Sequence, residues 1–225
     1  METDPSKLET FEQISAATAS NLVKAAAHQA FQLFQEKDFR RLANFDVLAQ
    51  VEQDRIFNEL VVSFIVLLML MLEAPDLRVP PELRDYLQGI RERIPEAHIN
   101  YLSSLGIEPH YLRDWQKLLD LRYEEYVKDK HEVRAAAMEL ESSEKPLELN
   151  DLSKIQLLVP VQTVAIGGHD HICRGATRGR DELFKLTLRA LSRFYLEMRL
   201  RLEGGKTPPL TKAKLAWKKF RQGKR

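Results

Sequence analysis

Apolar side chains recur at intervals of three and four residues along most of the chain, and this period predicts α-helices. A first helix is predicted over residues 8–34. A second helix is expected to begin at Asp46, whose side chain can cap it, and to end before Pro75. It contains the longest apolar run, Leu60–Leu72, which is interrupted only by Ser63. Because this run is shorter than the ~20 residues that a membrane span needs, it predicts a helix buried on all sides.

Proline and glycine positions divide the next part of the chain into further helices. Pro80 and Pro81 favour the first turn of a third helix. Pro95 is expected to start a short fourth helix, which Gly106 ends. The longest regular pattern follows Pro109 and predicts the longest helix of the chain.

The segment 151–166 fits two kinds of structure. Its β-branched residues allow a strand, whereas a cap at Asn150 or Asp151, apolar residues at helical spacing and a terminal Gly167 allow a helix. Because no second strand is predicted that could pair with it, we expect a helix, with a kink at Pro160.

A last amphipathic helix is expected to be capped by Asp181 and ended by Gly204. These elements predict an all-α fold, a bundle of about six or seven helices around the buried apolar helix. Residues 1–205 are expected to form one bundle domain, with an internal boundary near 142–150. Residues 206–225 are expected to form a basic tail.

Composition agrees with this fold, and charge adds a difference between the two parts of the chain. A hydrophobic content of 44% and a charged content of 30% are typical of a folded globular protein. The single cysteine excludes an intramolecular disulfide, and the start of the chain lacks the pattern of a secretory signal, so a cytoplasmic location is expected. The net charge of +1 conceals a division, because Gly167 and the residues after it carry 16 Lys or Arg against 5 Asp or Glu, a local charge of +11 that leaves −10 for residues 1–166.

One short stretch, "GGHDHIC", holds three side chains that can ligate zinc or iron: His169, His171 and Cys173. If the segment is extended, their alternate spacing directs all three to one side, where a bound ion could activate water for hydrolysis. The candidates for a fourth ligand are Glu52, Glu59 and His131. The dipeptide His169-Asp170 resembles that of the metal-dependent HD-type phosphohydrolases, which are all-helical. That resemblance covers two residues, and no residue roles follow from it.

The following stretch, "RGATRGRDELF", places Arg174, Arg178 and Arg180 in a loop that leads into a helix N-terminus, where donors for an anion are concentrated. In the tail, Trp217 and Phe220 are interleaved with cations, a composition that suits RNA, DNA or an acidic membrane surface. The tail cations assigned to anion binding are Lys214, Lys218, Lys219 and Arg221. In the alternative interpretation, the arginines pair with acidic helices of the same chain and the tail docks on its body.

The charge division therefore predicts a non-enzymatic, cytoplasmic interaction protein whose basic C-terminal third binds an anionic partner, either nucleic acid or an acidic protein surface. The alternative is a metal-dependent, hydrolase-like enzyme with a zinc or iron ion in a 167–180 loop. The sequence carries no helix-turn-helix, RNA-recognition, zinc-finger, Walker or Rossmann pattern. It leaves open whether the long apolar run is buried within one chain or between two copies in a homo-oligomer.

Overall fold

The computed structural model describes residues 11–144 and 146–204, and the predicted tail lies outside them. The described residues form seven α-helices and no β-strand, so the prediction of an all-α bundle is confirmed. The helices are α1 (Phe11–Gln35), α2 (Lys37–Leu42), α3 (Gln50–Leu72), α4 (Arg84–Ser104), α5 (Pro109–Glu144), α6 (Leu149–Cys173) and α7 (Asp181–Leu202).

Helix α3 is the centre of the bundle. Every side chain from Leu60 to Leu72 is buried, and α3 contacts α1, α4, α5, α6 and α7. Each large aliphatic side chain buried in this way contributes about 1.5–3 kcal/mol. Among the described helices, only α3 is long and apolar enough to cross a membrane, and 83% of its most apolar window is buried inside the chain. The apolar run is therefore covered by helices of the same chain.

Helix α3 begins later than predicted. Asp46 lies in a short 3-10 turn, Phe45–Val47, and α3 starts at Gln50 behind Ala49, which has no side chain that could cap it. The side chain of Gln53 donates hydrogen bonds of 3.2 and 3.0 Å to carbonyl oxygens in and beside this turn. The prediction that Asp46 caps the helix is therefore wrong. The turn is instead bound by the side chain of Gln53, a residue within α3.

Helix α4 passes through Pro95 without ending, so the prediction of a separate short helix is wrong. A proline inside a helix costs about 3 kcal/mol or more. Ile90, Ile94 and Leu102, on either side of the proline, are all buried, and α4 packs along α1. Burial of this apolar stripe outweighs the cost. The helix ends just before Gly106, whose φ of 85° suits a residue without a Cβ.

Helix α6 continues past its predicted end. The prediction of a helix over 151–166 is confirmed, but α6 runs on through Gly167 and Gly168 to Cys173. A Cβ at position 167 would lie 2.3 Å from the ring of Tyr126 on α5. Glycine at this position therefore allows α5 and α6 to approach each other closely, and it does not end the helix.

The first turns of the last two helices also differ from prediction. The N-cap of α6 is Glu148, which forms a capping box with Asp151, and neither Asn150 nor Asp151 is the cap. Helix α7 begins at Asp181 itself, with Arg180 in the N-cap position and no side-chain cap hydrogen bond. In both helices a carboxylate still lies in the first turn, where it interacts favourably with the helix dipole.

Candidate functional site

The three predicted metal ligands do not converge. They occupy the end of α6 and not an extended segment, and residues two apart on an α-helix point in nearly opposite directions. His169 packs edge-on against Phe184, with ring centroids 5.4 Å apart, whereas His171 contacts Glu125 on α5. Within the part of the chain that the structure describes, no group of three or more His, Cys, Asp or Glu side chains is placed to hold a metal ion. The expectation that His169, His171 and Cys173 share one side is wrong.

Burial controls the protonation of two of these side chains. It lowers the pKa of the buried His169 imidazole and raises the pKa of the half-buried Cys173 thiol. At neutral pH His169 is therefore neutral and Cys173 is a thiol. Because the thiolate is the reactive form of cysteine, the site favours neither metal ligation nor nucleophilic attack by Cys173.

His171 belongs instead to a chain of ion pairs and hydrogen bonds that joins α3, α5 and α6, called here the inner network: Glu59, Arg122, Glu125 and His171. Arg122 donates two hydrogen bonds to the carboxylate of Glu59, of 2.7 and 3.0 Å, and a third of 3.1 Å to Glu125. Nε2 of His171 lies 2.8 Å from Oε1 of Glu125. The Glu59 side chain is 7% exposed and that of Arg122 is 13% exposed, so this paired geometry is maintained largely away from water.

A second arginine holds the end of α6. Arg55 donates hydrogen bonds of 2.7 and 3.0 Å to the carbonyl oxygens of His171 and Ile172 in the last turn of α6, where carbonyl groups lack a full set of helix donors. Arg55 also binds Glu52 at 3.0 Å, and Arg174 binds the same carboxylate from the loop after α6. The hydrogen bond from Arg55, together with Arg174, lowers the pKa of Glu52.

The candidates for a fourth metal ligand are consequently occupied or remote. Glu59 is bound by Arg122, Glu52 is bound by two arginines, and His131 is exposed on α5. Sequence reasoning missed Glu125 and Arg55 as partners in these networks. A signal existed, because Glu52 and Arg55, like Arg122 and Glu125, are three residues apart on a helix, the spacing at which opposite charges attract.

The predicted anion loop lies between α6 and α7, and two of its three arginines are already engaged. Arg174 adopts a left-handed conformation, with φ of 52°, and pairs with Glu52. Arg180 donates a 3.1 Å hydrogen bond to the carbonyl oxygen of Leu42. Arg178 is exposed and has no hydrogen bond or ion pair within the described part of the chain. Pairing with the body of the chain thus accounts for Arg174 and Arg180, and Arg178 is left facing solvent.

Helix α7 carries a second set of cations on its outer surface. Lys185, Arg189 and Arg193 are four residues apart, share one helix face and are exposed; they are called here the α7 row. Lys185 binds Glu182 at 2.8 Å. Arg189 and Arg193 make no hydrogen bond or ion pair with any described residue. The predicted tail cations Lys214, Lys218, Lys219 and Arg221 follow this helix and lie outside the described residues.

A groove of 620 Å³ opens between α5, α6 and α7, on the surface formed by the last three helices. Leu140 is 69% exposed and Ile166 is 49% exposed, so large apolar side chains face solvent there. The charged residues that line the groove are Glu132, Glu141, Asp151 and Lys154. An apolar cleft with a few polar groups is a typical binding surface.

Comparison with protein-family models, with curated proteins and with solved structures gave no match. The α7 row lies in the part of the chain that carries the positive charge, whereas the groove is lined mostly by residues of α5 and α6 that precede Gly167.

Proposed function

We propose that this chain is a cytoplasmic, non-enzymatic interaction protein that binds an anionic macromolecule through Arg178, the α7 row and the basic segment 206–225. One observation carries the proposal: Arg178, Arg189 and Arg193 are exposed and make no hydrogen bond or ion pair within the described part of the chain. The inner network and the Arg55 pairs, by contrast, use their arginines to hold helices together.

Electrostatics supports this assignment. Like charges four residues apart on a helix repel by about 0.2–0.5 kcal/mol per pair, so the α7 row is less favourable for folding than a mixed surface. A row of phosphates or carboxylates would neutralise it. Residues 206–225 add eight cations and no acid, with Trp217 and Phe220 among them. Aromatic side chains stack on unpaired bases, so single-stranded nucleic acid is the favoured anionic partner.

The decisive experiment measures binding of the full chain to heteropolymeric single-stranded RNA and DNA, and to polyglutamate, over a salt series. We expect affinity to fall linearly with salt on logarithmic axes, with a slope of about 0.7 per phosphate contacted. The double substitution Arg189→Gln/Arg193→Gln should reduce both the affinity at low salt and the slope. Polyglutamate binding as tight as that of the nucleic acids would assign the surface to acidic proteins.

Arg113 and Lys117 provide a matched control, since they are also exposed cations four residues apart, but on α5. The control Arg113→Gln/Lys117→Gln removes the same charge and should leave the slope unchanged. Absence of binding at low salt would contradict the proposal, and so would equal losses in the two double variants.

A further inference from the structure

The groove between α5, α6 and α7 exposes several large apolar side chains to solvent. Leu140 on α5 and Leu158 and Ile166 on α6 line it and are 69%, 38% and 49% exposed. In the central bundle, residues at comparable positions are buried against α3. Covering such side chains is favourable by about 25 cal/mol per Å² of apolar area. A further apolar segment would therefore bind here without displacing any described contact.

The charges that line the groove specify the chemistry of that segment. Glu132 and Glu141 contribute carboxylates to the lining, whereas Asp151 is 2% exposed, belongs to the α6 capping box and pairs at 3.5 Å with Lys154, the one cation of the lining. The surplus of acid favours a basic segment. Residues 206–225 carry eight cations and no acid, and this composition is complementary to the lining.

The apolar residues of that segment also have the right spacing. Leu210, Ala213, Trp217 and Phe220 recur at intervals of three and four, as in the apolar stripe of an amphipathic helix. Recognition of a helix in a groove uses anchors at this spacing. The cations fall between the anchors, where they would meet the carboxylates of the groove.

The segment starts close enough to reach the groove. Helix α7 ends at Leu202, and the next residue, Glu203, lines a cavity of 820 Å³ that shares Lys154 with the groove. Phe184 and Leu188 of α7 line the groove, and Leu188, the nearer to the helix end, is 14 residues from it, which is about 21 Å at 1.5 Å per residue. Seven extended residues span this distance at about 3.3 Å each. The chain after Gly204 is three times as long.

We propose that residues 206–225 bind intramolecularly in the groove between α5, α6 and α7, with Trp217 and Phe220 against Leu158 and Ile166. This inference does not rest on polyanion binding. The two proposals are nevertheless coupled, because the same cations would face either the carboxylates of the groove or an anionic partner. A polyanion would then draw the segment out of the groove and expose the apolar surface.

The fluorescence of Trp217 can test whether the segment is bound in the groove of the full chain. The difference in fluorescence between the wild type and Trp217→Phe isolates its emission from that of Trp115, and acrylamide quenching measures its access to solvent. We expect quenching of Trp217 to be several-fold weaker than in the free peptide 206–225. Leu158→Lys and Ile166→Lys, both at partly exposed positions, remove apolar contact and repel the basic segment, so they should raise it to the peptide value.

Leu121→Lys is the matched control, because Leu121 is 56% exposed on α5 and does not line the groove. It should leave Trp217 protected, and thermal unfolding should show all three variants folded. Quenching at the peptide value in the wild type would overturn the proposal, as would protection that survives both groove substitutions. Protection that rises with protein concentration, together with the mass of a dimer, would assign the groove to a second copy of the chain.

Discussion

The inner network and the α7 row contain the same kinds of side chain and use them in opposite ways. In the inner network, Arg122 is nearly buried and holds Glu59 and Glu125 in a fixed geometry. In the α7 row, Arg189 and Arg193 are exposed and have no ion pair within the described residues. The number of arginines in a segment therefore does not locate a binding surface. The structure adds which arginines are paired in the folded chain and which face solvent.

The paired and the exposed arginines should also respond differently to substitution. A buried pair that loses one partner leaves a charge without compensation, which costs several kcal/mol. An exposed cation without a partner costs little and stays available to a ligand. Substitutions in the inner network should therefore lower the free energy of unfolding strongly, and substitutions in the α7 row should leave it almost unchanged.

The largest effect is expected for Glu59→Ala, which removes the main partner of Arg122. We expect the free energy of unfolding in urea to fall by about 3–5 kcal/mol. The double variant Glu59→Met/Arg122→Met removes both charges and should recover most of this loss. A loss of less than about 1 kcal/mol for the single substitution would show that water screens the charges of the inner network. The inner network and the α7 row would then not differ in their effect on stability.

The pH dependence of stability tests the same contrast, through a buried histidine. His98 on α4 is fully buried, neither ring nitrogen has a hydrogen-bond partner among the described residues, and desolvation lowers its pKa from 6.5 to about 4. The unfolded chain takes up this proton near pH 6.5, whereas the folded chain does not until about pH 4. Stability is therefore present above pH 6.5 and is lost as the pH falls towards 4, by on the order of 3 kcal/mol.

The difference between the wild type and His98→Phe in urea unfolding at several pH values measures this contribution, because phenylalanine keeps the ring and removes the titration. Between pH 7 and pH 4 the wild type should lose on the order of 3 kcal/mol more stability than His98→Phe. Parallel pH profiles would show that His98 is not desolvated.

A smaller effect is expected for Gly167→Ala, beside the inner network. The new Cβ would lie 2.3 Å from the Tyr126 ring, and overpacking of this kind costs about 1–3 kcal/mol. Gly89→Ala on α4 is the control, because its Cβ would meet no atom closer than 3.4 Å. There alanine should stabilise the helix by up to about 1 kcal/mol. Equal effects at the two positions would mean that α5 and α6 are not closely packed.

The smallest effect is expected for Arg189→Gln/Arg193→Gln in the α7 row. Removing two like charges should change the free energy of unfolding by less than about 0.5 kcal/mol, because both side chains are exposed. The measurement is urea unfolding of the variant that is used for polyanion binding. A loss of several kcal/mol would show that the row contributes to the fold, and the comparison with the inner network would then fail.

The helices were predictable, but several of their ends were not. Period and composition are local properties, and they are sufficient to predict the apolar helix α3 and the long helix after Pro109. From the sequence, Pro95 predicts the start of a helix and Gly167 the end of one, because both residues have a poor propensity for helix interiors. Both lie inside helices, because burial along α4 and close packing against Tyr126 outweigh that propensity.

The candidate site was predictable to a lesser degree. The basic character of the C-terminal third is a property of the sequence, but pairing of Arg174 with Glu52 joins positions 122 residues apart. His171 and Glu125 are 46 residues apart. The expectation of three metal ligands on one side depended on an extended backbone, and the helix through Cys173 removed it.

The sequence by itself determined the helical class, the apolar centre and the division of charge, because each follows from the order and type of neighbouring residues. Only the tertiary structure decided which charges are neutralised and which face solvent. Ion pairs and grooves form between helices that are distant in sequence, and their geometry depends on how the helices pack. For this chain, packing engages the arginines at 55, 122 and 174 and leaves Arg189 and Arg193 exposed.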